Sequence, residues 1–139
     1  MACGKLLYQK NMPYIDANVI LRYILNDHAD LSPKAKGIIE SSDIEIPVEV
    51  LCEVVYVLKR VYKINQKEIA DTLLDFFENT NCLLSHREVI ITGLQYFAGK
   101  NLDFVDCILA GYYEIEGRTV YTFDNNLERL LVEIRKGKT

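Results

Sequence analysis

The chain has 139 residues, which is the size of one domain. Half of its residues are hydrophobic, so the composition favours a folded core and excludes a disordered chain. Sixteen basic and twenty acidic residues give a net charge of −4. A polyanion such as a nucleic acid must therefore bind through a local patch or a metal ion, because bulk charge would repel it.

The first 14 residues contain no long apolar segment, so we expect no signal peptide. No apolar stretch reaches the ~20 residues that span a bilayer, so we expect no membrane association. The four cysteines (Cys3, Cys52, Cys82 and Cys107) form no CxxC pair and have no zinc-like spacing with histidine. These features predict free thiols in a reducing, cytoplasmic environment.

The first half of the chain predicts short strands alternating with helices. A strand over residues 13–15 ends at Asp16, and Asn18 is expected to cap a helix that runs to Leu25. Ser32 and Pro33 predict the start of a second helix, which runs to about Ser41. A strand is expected over residues 44–46 and a long helix after Pro47. The apolar stripe of that helix consists of Leu51, Val54, Val55, Leu58, Val61 and Tyr62.

The second half continues the alternation. Asn65 is expected to cap a helix to about Glu78, followed by a short strand over residues 82–84 and a helix over residues 87–97. Asp103 is expected to cap the next helix, which ends at Gly117. A strand over residues 119–122 and a short helix from Asn126 complete the chain. This alternation predicts an α/β domain with a mostly parallel sheet.

Carboxylates stand where an open parallel sheet places functional sites, beyond the carboxyl ends of its strands. Asp16 follows the first predicted strand and Asp124 the last, while Asp106 lies in the first turn of a helix. Oxygen ligands of this kind suit Mg²⁺ or Mn²⁺. Each residue also has a structural explanation, because loop aspartates often close turns or cap helices. Glu53 lies on the polar side of its helix, which is the usual place for a solvated side chain.

The four acidic residues lie in four short segments, and these segments taken together favour a shared functional role over separate structural ones. They read YIDANVIL over residues 14–21, PVEVLCEVVYVL over residues 47–58, LDFVDCILA over residues 102–110 and TVYTFD over residues 119–124. In this order, the chain resembles the PIN-domain nucleases, and most closely the VapC-like toxins of type II toxin–antitoxin systems. The resemblance implies a PIN-like α/β fold, in which a short twisted parallel sheet is flanked by helices.

The resemblance also implies the site. The family's acidic residues fall on Asp16, Glu53, Asp106 and Asp124. Asp16 and Asp106 would be the principal ligands of Mg²⁺ or Mn²⁺, and the other two would complete the acidic pocket. The implied activity is a metal-dependent endoribonuclease that cleaves RNA phosphodiester bonds with a metal-activated water. Asn18 and Thr122 would orient the carboxylates. The candidates for contacts to the RNA backbone are Arg22, Lys59, Arg60 and Lys63.

The expected domain organisation is an N-terminal extension over residues 1–11 followed by a PIN domain over residues 12–139. We expect the extension to be dispensable for the fold. The family resemblance further implies an inhibitory antitoxin protein as a partner and formation of a homodimer. Two alternatives stay open. One is a phosphatase of the haloacid dehalogenase type, whose nucleophile motif is only partly matched around Asp16. The other is a catalytically inactive PIN module that binds RNA or protein.

Overall fold

The structure is a computed structural model, and it describes residues 12–41 and 43–137. The predicted extension, residues 1–11, lies outside the described residues. The described part divides into two compact units. The first consists of the chain up to Val54 together with Asp75–Ser85, and the second consists of Val55–Leu74 and the chain from His86 onward.

Seven helices and two strands make up the regular structure of the described ranges. In chain order they are α1 (Ala17–Leu25), α2 (Leu31–Ser41), β1 (Ile44–Ile46), α3 (Val48–Arg60), α4 (Gln66–Asn79), β2 (Cys82–Leu84), α5 (Arg87–Gly99), α6 (Phe104–Glu116) and α7 (Asn125–Gly137). The strands are parallel, as expected where helical segments connect them. The α/β class and the parallel sheet are confirmed.

The first unit contains the sheet. Strand β1 pairs with β2 in a register that places Ile44 opposite Cys82. Ile44 and Ile46 are completely buried, and α1 packs against α2 in the same unit. The strand predicted over residues 13–15 is reduced to one parallel bridge between Tyr14 and Glu45.

The start of α1 differs from the prediction. Asp16, and not Asn18, is the N-cap, because its Oδ1 accepts a hydrogen bond from the backbone N–H of Val19 at 3.1 Å. This bond satisfies one of the amides that a helix leaves without an internal partner. Asn18 lies inside the first turn, and its side chain is exposed.

The start of α2 also differs from the prediction. The helix begins at Leu31, and the predicted cap Ser32 is a buried residue within its first turn. The ring Nδ1 of His28 takes the capping role, accepting from the N–H of Leu31 at 2.9 Å and of Asp30 at 3.2 Å. The Ser32 hydroxyl instead accepts from the N–H of His28 at 3.2 Å. A histidine cap is not among the common N-caps, so residue preference alone could not find it.

Helices α3 and α4 follow their predicted patterns with one exception. The first four members of the α3 stripe are buried, but Val61 and Tyr62 are exposed because the helix ends at Arg60. In α4, the Asn65 side chain accepts from the N–H of Glu68 at 2.8 Å, which confirms the predicted cap.

The second unit is built around α5 and α6, which pack closely through two glycines. A Cβ atom on Gly111 would lie 2.5 Å from the backbone oxygen of Val89, and one on Gly93 would lie 2.8 Å from Cδ1 of Ile108. Both separations are shorter than van der Waals contact, so the helices approach as closely as glycine permits. Helix α6 ends at Gly117, which has a positive φ of 68° as predicted for a C-cap.

The strand predicted over residues 119–122 is absent from the structure described here. Tyr121 and Phe123, on either side of Thr122, are almost fully exposed. β-branched and aromatic residues raise strand propensity, but a strand forms only where a neighbouring strand supplies backbone partners. The predicted short final helix is longer than expected, since α7 continues to Gly137.

Two further expectations concern the environment of the protein. Across residues 12–41 and 43–137, no helix is long and apolar enough to cross a membrane. Cys52, Cys82 and Cys107 are free thiols, and burial raises the pKa of each of them. Cys3 lies outside the described residues.

Candidate metal site

Asp106 lies in the first turn of α6, where the partial positive charge of the helix N-terminus favours a carboxylate. Its environment opposes that effect. Burial raises the pKa of the Asp106 carboxyl, and the negative charges of Asp124 and Asp103 raise it further. The structure therefore brings Asp106 and Asp124, two of the four predicted acids, within electrostatic range of each other.

Asp124 is held in place by one hydrogen bond to its side chain and one from its backbone N–H. Its Oδ1 accepts from the backbone N–H of Leu127 at 2.9 Å, so it caps α7, as its sequence position suggested. Its own N–H donates to Oγ1 of Thr122 at 3.0 Å. Thr122, which we expected to orient a carboxylate, thus orients the backbone of Asp124.

Asp103 is an acidic neighbour whose role the sequence did not reveal. It occupies the N-cap position of α6 as predicted, but its side chain makes no capping hydrogen bond. Its carbonyl oxygen accepts from the N–H of Cys107 at 3.1 Å. The Asp103 carboxylate acts on Asp106 through its charge. The signal that could have identified it is the three-residue spacing, which places both side chains on one face of the helix end.

The other two predicted acids belong to the first unit. The carboxylate of Asp16 caps α1, which is the turn-forming role that the sequence offered as an alternative. Glu53 is exposed on α3, on the polar side predicted for it. Convergence of Asp16 and Glu53 with Asp106 and Asp124 stays a prediction.

The four basic candidates for RNA contacts have different surroundings. Nη1 of Arg22 forms an ion pair with Oδ1 of Asp27 at 2.6 Å. Nζ of Lys59 donates to Oε1 of Gln66 at 2.7 Å. Arg60 and Lys63 are exposed. Two of the four therefore already serve intramolecular contacts.

The described residues contain no group of three or more His, Cys, Asp or Glu side chains placed to hold a metal ion. Mg²⁺ does not need such a group, because it usually retains several waters and binds one or two carboxylates together with substrate phosphates. Asp106 and Asp124 supply carboxylate oxygens, which are the hard donors that Mg²⁺ and Mn²⁺ prefer. The donor chemistry of the second unit thus fits a divalent cation.

The proximity of these acids predicts an unusual effect of neutralising Asp106. Without metal at pH 7, Asp106→Asn should unfold at the same temperature as the wild type or a higher one, because it removes a repelled charge. The pKa of Asp106 is higher in the folded protein than in the unfolded chain. Its protonated carboxyl therefore stabilises the fold at pH values below the unfolded-state pKa, and this stabilisation is lost as the pH rises through the folded-state pKa. The advantage of the variant should therefore grow as pH rises from about 4. Thermal melts in EDTA at several pH values measure this.

Excess Mg²⁺ should reduce or reverse the difference in melting temperature between Asp106→Asn and the wild type, since the ion stabilises whichever protein binds it more tightly. Asp71→Asn is the control, because Asp71 lies in an exposed i,i+4 pair with Lys67 and should respond to neither pH nor Mg²⁺ in this way. We call Asp103, Asp106 and Asp124 the acidic cluster. If the wild type is more stable than Asp106→Asn without metal, and Mg²⁺ has no selective effect, the cluster is contradicted.

Comparison with known proteins gives one match. The family model described as "PIN domain" matches residues 14–131, which is most of the chain. Neither the curated proteins nor the solved structures contain a match to the chain. The matched region includes all four predicted acids, the whole of α6 and the first part of α7. On this match, the chain belongs to the PIN-domain family.

Proposed function

We propose that the protein is a metal-dependent endoribonuclease. Membership of the PIN-domain family supports the broader activity, a nuclease that hydrolyses phosphodiester bonds with a divalent metal ion. The observation in the structure that carries the proposal is the coupling of Asp106 to Asp124 and Asp103. Burial and the neighbouring negative charges both disfavour the ionised Asp106 carboxylate, and a bound cation would reduce that cost; carboxylates in such surroundings are common at functional sites.

In this proposal, Asp16 and Asp106 are the principal ligands of Mg²⁺ or Mn²⁺, and Glu53 and Asp124 complete the acidic set. The ion would orient the scissile phosphate, lower the pKa of the attacking water and neutralise charge that develops during the reaction. The protein's part is to hold the carboxylates in place. The capping bond to Leu127 and the bond from the Asp124 N–H to Thr122 do this for one of them.

The substrate is proposed to be RNA, contacted along its backbone by basic side chains. Arg60 and Lys63 are exposed at the end of α3 and just beyond it, so they can meet a phosphate without breaking a side-chain bond to any other residue that the structure describes. Arg22 and Lys59 would first have to exchange their contacts with Asp27 and Gln66. Asn18 is proposed to assist the carboxylate of Asp16 from the first turn of α1.

We further propose that the protein is the toxin of a toxin–antitoxin pair, that it forms a homodimer and that it acts in the cytoplasm. The order of the four sequence segments supports the VapC-like assignment, and the three free cysteines support a reducing compartment. A neighbouring reading frame that encodes a small protein with a DNA-binding N-terminus, and that suppresses the nuclease when both are produced, would support the assignment. A neighbour without that effect would oppose it.

Cleavage assays with four substrates test the activity. The wild type should cleave single-stranded RNA with Mg²⁺ or Mn²⁺, should lose this activity in EDTA and should regain it when the ion is restored. The matched DNA oligonucleotide and a duplex RNA measure substrate preference. Hydrolysis of a phosphomonoester without RNA cleavage would favour the phosphatase alternative. Binding of RNA without any cleavage would favour the inactive PIN module.

A further inference from the structure

Gln66, the first residue of α4, joins three backbone carbonyls between the end of α5 and the start of α6. Its Nε2 group donates to the carbonyl oxygen of Phe97 at 2.8 Å and to that of Lys100 at 2.9 Å. The carbonyl of Leu102 lies 3.4 Å from the same nitrogen. Phe97 is in the last turn of α5, where the carbonyls have no hydrogen-bond partner within the helix. The Gln66 side chain therefore supplies donors both to the end of the helix and to the loop after it.

The orientation of this amide is determined by its neighbours. The Nζ group of Lys59 donates to Oε1 of Gln66 at 2.7 Å and lies 5.8 Å from the centre of the Phe97 ring. An ammonium group can only donate and a backbone carbonyl can only accept. The amide oxygen must therefore face Lys59 and the amide nitrogen must face the loop, and turning the amide over would break every contact.

The loop held by Gln66 leads directly into the acidic cluster. Leu102 immediately precedes Asp103, the N-cap of α6, and Asp106 lies in the first turn of that helix. We propose that Gln66 is a positioning residue for Asp106, which fixes the start of α6 and thereby the place of the Asp106 carboxylate relative to Asp124. This proposal rests on the proposed nuclease function. It also assigns Lys59 to the support of the site in place of a contact to RNA, because its bond to Oε1 orients the Gln66 amide.

The test is the variant Gln66→Met, whose flexible apolar side chain retains much of the packing but has no amide donors. We expect kcat for RNA cleavage to fall about 10- to 100-fold, since small displacements of a reacting group cost rates of this size. KM for RNA should stay within about threefold, because positioning affects the reaction more than binding. Hydrogen exchange of the metal-free protein gives a second readout, in which the N–H of Cys107, bonded to Asp103, should exchange faster while the amides of β1 do not change.

Two variants in α4 serve as controls. Lys67→Met changes the next residue, which makes only an exposed pair with Asp71, and should keep both kcat and the exchange rate. Ile69→Val trims a fully buried side chain in the same helix, so it should lower the melting temperature without selectively lowering kcat. If Gln66→Met does not fold, Gln66→Glu replaces it, since it keeps an acceptor for Lys59 and lacks the donors.

The outcomes separate this proposal from the proposed function. An active wild type and a Gln66 variant with unchanged kcat and unchanged exchange at Cys107 would overturn the positioning role and leave the nuclease in place. A wild type that cleaves no RNA with any divalent ion would overturn the nuclease, and the positioning role with it. Loss of kcat together with faster exchange at Cys107, and neither change in Lys67→Met, supports the proposal.

Discussion

Asp106→Asn is expected to abolish divalent-dependent cleavage of RNA, with a loss of about 10²- to 10⁴-fold in rate. Asparagine has the size of aspartate but no charge, so it binds a hard cation more weakly and cannot offset the charge of the ion. Metal stabilisation of the reacting phosphate is worth several kcal/mol, which corresponds to a rate loss of this size. Initial rates on a labelled RNA at saturating Mg²⁺ measure it, and Asp16→Asn should behave in the same way.

Asp103→Asn is the matched control, three residues earlier on α6. The Asp103 side chain makes no capping hydrogen bond, and asparagine is an equally good N-cap residue, so the helix should be preserved. Most of the activity should remain, because Asp103 is not one of the proposed metal ligands and the substitution removes only a neighbouring charge from Asp106. An inactive Asp103 variant beside an active Asp106 variant would show that the metal ligand has been assigned to the wrong aspartate.

Phe97→Ala is expected to give the largest loss of stability, about 3–5 kcal/mol, because it leaves a cavity in the core of the second unit. The Phe97 ring is 1% exposed and meets the ring of Phe104 edge to face at 5.5 Å. It also lies beneath the ammonium group of Lys59. Denaturant unfolding of wild type and variant measures the difference.

The same substitution at Phe123 is the control for residue type. Phe123 is fully exposed, so Phe123→Ala should change the free energy of unfolding by no more than about 0.5 kcal/mol. A large loss of stability at Phe123 would instead show that residues 119–123 are packed in solution, as the strand prediction for residues 119–122 requires.

Local sequence signals predicted most of the helices and both strands. The first four positions of the α3 stripe, the Asn65 cap and the Gly117 stop depend on residues close together in the chain, and all three are confirmed. The failures occurred where a more distant contact or an unusual residue decides the outcome. His28 caps α2 although histidine is not a preferred cap. Residues 119–122 have strand propensity without a paired strand in the described structure.

The candidate site likewise contains residues that the sequence predicted and residues that only the structure reveals. Family resemblance identified Asp106 and Asp124, and the structure couples them through their charges. Asp103 was interpreted as a cap because its position is that of a cap, and only the structure shows that its side chain is not used as one. Gln66 could not be found from the sequence, since its carbonyl partners lie 31 to 36 residues further along the chain. No periodicity or motif links residues that far apart.

The close contact between α5 and α6 gives its two glycines unequal freedom to change during evolution. At position 93 an added methyl group would lie 2.8 Å from the end of a flexible isoleucine side chain and 3.2 Å from the backbone oxygen of Cys107, so alanine there needs a smaller residue at position 108 and a small backbone adjustment. At position 111 it would meet the backbone oxygen of Val89, and no substitution at position 89 can remove a backbone atom. Positions 93 and 108 can therefore covary in related sequences, whereas position 111 can gain a side chain only if α6, and Asp106 with it, moves away from α5.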